Sequence, residues 1–434
     1  MTEEQFGFRR GRGCTDALHI LRAVVEKSVE WGEALWVATL DVEKAFDKVN
    51  HSALFDALIQ NGADSYVVMT LHKLYHGLDA YVQLWPGCKS RCFPIQRGVR
   101  QGDPLSPVLF NLVVRQILSQ TNHVWQRRGF GTLVGSSCLS QKLTHVAFAD
   151  DVTLVSRSWP QLKSMILDLR DALRARGLEL HPSKCQVQTN CDDWSERGDV
   201  FLDADLQVKV LQVGEHLSVL GTVLSLTDVS RVEIQNRISL SWRKFWSLRA
   251  LLLNTRASLK KRLQLFNATV GTSFLWSCQS WTPRVEEMRW IETAQNAMLR
   301  RIVGCRRLAD EDWLVWFRRA THRARSIAFG AGVKSWLAEQ ARLKFLWAGH
   351  VARRPGSTWL HKTVLWRDSS WSELMDQLGV RRPRRPSKIR MMKWEDIIRR
   401  FVSTLQDDPW TDAAARHQWW VDQVSKFVSF SKAE

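Results

Sequence analysis

The stretch Leu143-Thr144-His145-Val146-Ala147-Phe148-Ala149-Asp150-Asp151-Val152-Thr153-Leu154-Val155 decides how this chain folds. Two adjacent aspartates sit between flanks rich in β-branched and aromatic residues. Each flank reads as a short strand, so the pattern predicts a β-hairpin with Asp150 and Asp151 at its tip. Successive strand side chains point to opposite faces. One aspartate therefore aims at a site while its neighbour points more to the side. Such a pair needs a third carboxylate from elsewhere to hold a divalent metal ion firmly.

The candidate lies upstream. Ala34 to Leu40 is an apolar run that ends at Asp41. It predicts a buried strand with a carboxylate at its C-terminal end, where α/β architectures place their chemistry. Asp41, Asp150 and Asp151 brought together repel one another unless a cation neutralises them. Oxygen-only ligands suit Mg²⁺, with Mn²⁺ as the alternative. Two such ions about 3.5–4 Å apart clamp the attacking and leaving oxygens of a phosphoryl transfer.

The rest of the composition agrees with that chemistry. The chain has 434 residues, enough for two or three domains with proper cores. Its net charge of +18 and pI near 9.9 point to a polyanionic partner, because Lys and Arg release counterions from phosphates. The 8 cysteines form no paired Cys-x-x-Cys set with matching histidines, which argues against structural zinc and for a reducing compartment. No stretch approaches the roughly 18 apolar residues of a membrane span, and Met1 to Arg12 holds no apolar signal core. A soluble intracellular protein without a membrane partner is expected.

Further segments add ligand-binding chemistry. Gln5 to Asp16 interleaves Gly7, Gly11 and Gly13 with Arg9, Arg10 and Arg12, a close-approach loop that carries forks for phosphate oxygens. A helix is expected after it, capped by Thr15 and running to about Trp31. Helices are also expected over His51–Asn61 and Ser65–His76, with a hairpin through Ala80–Leu84 and Arg91–Ile95. The segment Arg97 to Pro107, with two glycines and two prolines, forms a shaped loop before the helix Leu105–His123. It sets Gln101 at a helix N-terminus, a station for a nucleotide. A helix Trp159–Arg176 ends at Gly177. Short strands follow at Leu178–Leu180, Cys185–Gln188, Val208–Val213 and Leu217–Leu224. From Ser230 onward, long amphipathic helices with basic polar faces take over: Val232–Leu253, Arg256–Thr272, Arg284–Val303 and Asp310–Lys334. Most of the 22 tryptophans lie in this half, where they read chiefly as core residues. Trp347 is the candidate for stacking on a base, and Arg381 to Pro386 reads as a linker or phosphate-binding arm.

Six motifs in order, QFGFRRGRGCTDAL, LDVEKAFDKVNH, RGVRQGDPLSPVLFN, VAFADD, GLELHPSKC and LSVLGT, span roughly residues 5 to 225. Together they resemble the reverse transcriptase of non-LTR retrotransposons, the long interspersed element type. Downstream, RRIVGC, KFLWAGHVARR and KWEDII are similar to the region that follows the polymerase in that family.

The resemblance implies an α+β right-hand polymerase fold. Partial fingers and palm would occupy 1–225, a helical thumb 226–335, and a basic Trp-rich helical region 336–434. It implies an RNA-directed DNA polymerase with two Mg²⁺ ions held by Asp41, Asp150 and Asp151. Its partners would be an RNA template, a DNA primer or target, and dNTPs, in the nucleus. Phe46 matches the family's aromatic gate against a 2′-hydroxyl. Gln101 and Gly102 resemble residues lining the nucleotide and template. Arg9 and Arg12 lie where the fingers contact triphosphate. Lys184 is the candidate acid for the leaving pyrophosphate, and Leu220-Gly221 fall at the primer grip. Strands that open the family's fingers would lie upstream of Met1, so an N-terminally truncated piece is expected, without an endonuclease domain or Cys/His knuckle. The alternatives are a catalytically inactive nucleic-acid-binding remnant and an intron-maturase-type reverse transcriptase.

Overall fold

A computed structural model describes residues 3–134, 142–191, 193–228, 230–364, 366 and 393–433. These fall into two compact units, one of 3–221 with Trp366, the other of 222–364 and 393–433.

The first unit is built on a six-stranded sheet in the order His145–Phe148, Asp151–Ser156, Trp36–Leu40, Gln186–Thr189, Gln207–Val210, Gly198–Phe201. Neighbours run antiparallel except Gln186–Thr189 beside Gln207–Val210. The hairpin is as the sequence predicts: Phe148 pairs with Asp151, and Ala149-Asp150 make the two-residue turn.

Strand period sorts the residues onto two faces, with Val37, Val146 and Val155 buried on the second. Trp36, Ala38 and Leu40 join Ala147, Val152, Leu154 and Val187 in one core. Leu109, Phe110 and Val113 of the helix Ser106–Arg127 fill that core, with Leu162, Met165 and Ile166 of the helix Trp159–Arg174. Residues between them point the other way. Thr39 and Thr153, paired across the two strands, therefore lie on the opposite face, and that face leads to the polar cleft described below.

Several local expectations shift. The first helix spans Cys14–Trp31 and is capped at Gly13, not Thr15; Asp16 reaches back to accept from the Gly13 amide at 3.0 Å. The expected single hairpin over 80–95 is two smaller ones, Asp79–Ala80 with Phe93–Pro94 and Gln83–Trp85 with Cys88–Lys89. Leu178–Leu180 makes only a bridge, Val42 to Leu180. The strand Gly198–Phe201 was not expected, because Gly198 and Asp199 dilute its pattern at the sheet edge. The run Leu217–Leu224 breaks at Leu220 and Gly221, whose φ values are +48° and +73°.

The second unit is helical: Arg231–Ser247, Leu259–Phe266, Val285–Val303, Trp313–Gly330 and Trp336–Ala352, with shorter helices after them. The expected continuous helix 256–272 is interrupted by a π turn at Asn267–Gly271, where β-branched Thr269 and Val270 precede a glycine. Aromatic stacking fills the interior. Trp336 stacks on Phe274 with centroids 4.2 Å apart, and Trp420 on Phe345 at 4.1 Å. The core reading therefore holds for these tryptophans. Trp347 meets Trp394 edge-on at 5.7 Å. Lys344 is buried and donates from Nζ to the Trp281 carbonyl and Thr282 Oγ1, both at 3.1 Å. The basic run Arg381–Pro386 lies outside the described residues. Among the described residues, no helix is long and apolar enough to cross a membrane, and seven cysteines are free.

Candidate active site

The register of the central strands assembles the site. Leu40 faces Val152, so one step further Asp41 comes opposite Asp151. Facing residues on antiparallel neighbours carry Cβ atoms about 4.5–5.5 Å apart. Both aspartates line a cleft of about 420 Å³ with Thr39, Thr153, Ser183, Lys184, Leu220 and Gly221. The backbone beyond Asp41 is zipped to the next loop. The His181 amide donates to the Asp41 carbonyl at 2.7 Å, and the Glu43 amide to the Glu179 carbonyl at 2.8 Å. This pairing delivers Lys184, whose Nζ donates to Asp41 Oδ2 at 2.6 Å.

The electrostatics show crowded negative charge. Burial pushes the Asp151 carboxyl up to about 6, and the charges of Asp150 and Asp41 push the same way, with Lys184 opposing. Burial also raises Asp150, helped by Asp41, against a backbone hydrogen bond and Lys184. The hydrogen bond and charge of Asp41 raise Lys184. Asp41, Asp150, Asp151 and Lys184 thus form one interacting group. Three hard oxygen donors with unrelieved repulsion fit a divalent cation in chemistry and charge. They are not yet gathered as ligands: among the described residues, no three acidic, histidine or cysteine side chains converge closely enough to hold a metal ion. Asp41 is turned toward the Lys184 ammonium, which a cation has to displace.

Two predictions arise here. Lys184→Ala is expected to tighten Mg²⁺ binding about two- to fivefold at low salt, the range of an exposed ion pair. Calorimetric titration checks it, and weaker binding in the variant contradicts the competition. The second concerns pH. Asp151 holds its proton more tightly folded than unfolded, so its contribution to stability is full below the ordinary carboxylate value and is lost as pH rises toward about 6. Asp151→Asn is therefore expected to raise the melting temperature in EDTA at pH 7.5 and to flatten its fall between pH 4 and 6. A lower melting temperature at pH 7.5 contradicts this.

A second pocket of about 400 Å³ gathers Phe46, Gln101 and Gly102 with Arg100, Asp103 and Pro104. Phe46 is half-buried, stacks on Phe110 at 4.6 Å and meets Phe8 edge-on at 6.5 Å. Gln101 Nε2 donates to Asp47 Oδ1 at 2.8 Å, which fixes the amide at the pocket rim. Gly98 makes this packing close, since a Cβ there would stand 2.6 Å from the Asp47 carbonyl oxygen.

Arg9 and Arg12 line neither pocket. Arg12 forms an ion pair with Glu3 and lies over the Phe6 ring at 5.5 Å, with its side chain only 8% exposed. Arg9 donates to the Gln5 carbonyl at 2.8 Å. Sequence reasoning missed Phe8, Gln5 and Asn111. The first supports Phe46; the other two contact the backbone of Gly7 or Ala149.

A sheet with one face sealed by helices, whose hairpin lifts two aspartates beside a third, is the palm of a right-hand polymerase. Residues 1–222 match the family model for reverse transcriptase (RNA-dependent DNA polymerase), and the chain belongs to that family. It is similar to the Pol polyprotein of the type-2 retrotransposable element R2DM of Drosophila melanogaster, 33% identical over 42% of this chain and 16% of that protein. It also resembles the RNA-directed DNA polymerase from mobile element jockey of Drosophila funebris, 22% identical over 69% of this chain and 32% of the relative. The non-LTR resemblance stands on such relatives. The chain spans 16% to 24% of the length of the first of the R2 relatives it matches. Among solved structures, telomerase from Candida tropicalis in complex with a telomeric RNA fragment aligns at a TM-score of 0.39 and 11% identity, over 87% of this chain and 53% of that one.

Proposed function

We propose that this chain performs template-directed nucleotidyl transfer, adding dNTPs to a DNA primer 3′-hydroxyl on an RNA template. The observation that carries the reading is the cross-strand placement of Asp41 and Asp151 in one cleft with Lys184. Family membership supports it. Asp41, Asp150 and Asp151 would hold two Mg²⁺ ions, or Mn²⁺, which when bound supply the Lewis acidity that activates the hydroxyl and neutralises the triphosphate.

The chain's own residues do the remainder. The primer hydroxyl gives up its proton to solvent water as its oxygen bonds to the α-phosphorus, and the bond to pyrophosphate breaks. Lys184, 60% exposed and free to leave Asp41, gives its proton to the pyrophosphate oxygen. Leu220 and Gly221 border the cleft where the primer end would lie. Phe46, with Gln101 and Gly102, shapes the pocket for the sugar and template. Arg12 would have to leave Glu3, and Arg9 the Gln5 carbonyl, to reach a triphosphate. Residues 226–335 would act as a thumb and 336–434 as a basic, Trp-rich nucleic-acid-binding region. A DNA target places the protein in the nucleus.

The ion pair of Lys184 on Asp41 favours one other reading, a non-catalytic nucleic-acid-binding protein. Primer extension with Mg²⁺, an RNA template and a DNA primer separates the two. Metal-dependent dNTP incorporation is expected, and its absence across salt and metal conditions defeats the catalytic reading. RNA affinity is expected to fall about 10³-fold or more between 50 and 200 mM salt, as for a protein meeting several phosphates. A flat response in a filter-binding titration contradicts a phosphate-tracking surface.

A further inference from the structure

The turn that carries Asp150 is held from outside the hairpin. Gln5 is 4% exposed and lies alongside Ala147. The Phe6 amide donates to the Ala147 carbonyl at 2.8 Å, and the Ala147 amide to the Glu4 carbonyl at 2.9 Å. The Gln5 side chain then grips the next peptide from both sides. Its Oε1 accepts from the Ala149 amide at 3.2 Å, and its Nε2 donates to the Ala149 carbonyl at 3.3 Å. Oε1 also accepts from the Gly7 amide at 3.1 Å, and Asn111 Nδ2 donates to the Gly7 carbonyl at 2.8 Å. Gly7 permits this approach, because a Cβ there would stand 2.3 Å from the Ala149 nitrogen.

Ala149 needs the grip. Its φ is +57°, a left-handed conformation that residues other than glycine avoid. Such a conformation persists only where surrounding structure over-determines it. We propose that Gln5 is a positioning residue whose amide, clamped on Ala149, fixes the turn and so holds Asp150 beside Asp151, which lines the cleft with Asp41. This rests on the polymerase reading for its consequence but not for its geometry.

The test uses the full chain with Gln5→Ala, Gln5→Glu and Gln5→Ala/Ala149→Gly. Gln5→Glu still accepts from the Ala149 amide but cannot donate to its carbonyl, so it keeps the proposal testable if the alanine variant fails to fold. Hydrogen exchange of the segment 145–156 is expected to quicken about tenfold in Gln5→Ala, the order set by losing such hydrogen bonds. Mn²⁺ affinity, read by electron paramagnetic resonance, and kcat for dNTP incorporation are expected to fall by a similar factor with KM for the primer unchanged. Ala149→Gly adopts the turn without strain, so it is expected to restore most of the Mn²⁺ affinity. Unchanged exchange, unchanged Mn²⁺ affinity, or no rescue by Ala149→Gly each overturns the proposal. Failure of wild-type incorporation alongside the expected exchange and Mn²⁺ effects sinks the polymerase reading instead and leaves the clamp standing.

Discussion

Asp150→Asn is expected to lower dNTP incorporation about 10³-fold while leaving RNA affinity within twofold. The substitution keeps the size of the side chain and removes one charge from the group formed with Asp41 and Asp151. A metal ion contributes several kcal/mol of transition-state stabilisation, and each 1.36 kcal/mol is a tenfold change in rate. RNA binding would rest on Lys and Arg side chains, which the substitution leaves unchanged. Single-turnover primer extension, paired with RNA binding on the same preparation, reads both numbers. Equal incorporation by the variant removes Asp150 from the chemistry. Joint loss of RNA binding points to a misfolded turn.

Phe46→Ala is expected to raise ribonucleotide use relative to deoxynucleotide use about 10- to 100-fold, the range over which a pocket discriminates a group of methyl to hydroxyl size. Phe46 is a rigid wall because Phe110 stacks on it and Phe8 closes its edge. Gln101 is tethered to Asp47 in the same segment, so the rim does not collapse when the ring is removed. The ratio of kcat/KM for a ribonucleotide to that for its deoxynucleotide checks it. An unchanged ratio shows that Phe46 packs the core without touching the sugar.

The hairpin and the central strand were legible because their signals are local. Apolar runs that end in aspartate fix strand and tip; that Asp41 comes opposite Asp151, and not Asp150, was set by the register of strands distant in sequence. The family resemblance implies neighbouring roles for Phe46, Gln101 and Gly102, and the three line one pocket. Ion pairs were not legible. Nothing in the run Gln5–Asp16 says that Arg12 turns back to Glu3, because that choice depends on the sequence-distant packing of Phe6 against the hairpin. Gln5 escaped notice for the same reason: an isolated polar residue in a Gly/Arg stretch looks like surface until the hairpin 144 residues away covers it. Lys184 was found as a chemical group, but its hold on Asp41 came only with the pairing of residues 41–43 against 179–181. The π turn at Asn267–Gly271 shows that helical periodicity predicts a helix without specifying its hydrogen-bond pitch.

The most direct test of the three-carboxylate group is Mn²⁺ titration of the metal-free full chain, followed by electron paramagnetic resonance. Wild-type protein is expected to bind Mn²⁺ in competition with Mg²⁺, and Asp41→Asn and Asp150→Asn are each expected to weaken that binding at least tenfold. Undiminished Mn²⁺ binding in the Asp41→Asn/Asp150→Asn double variant would contradict a shared metal site.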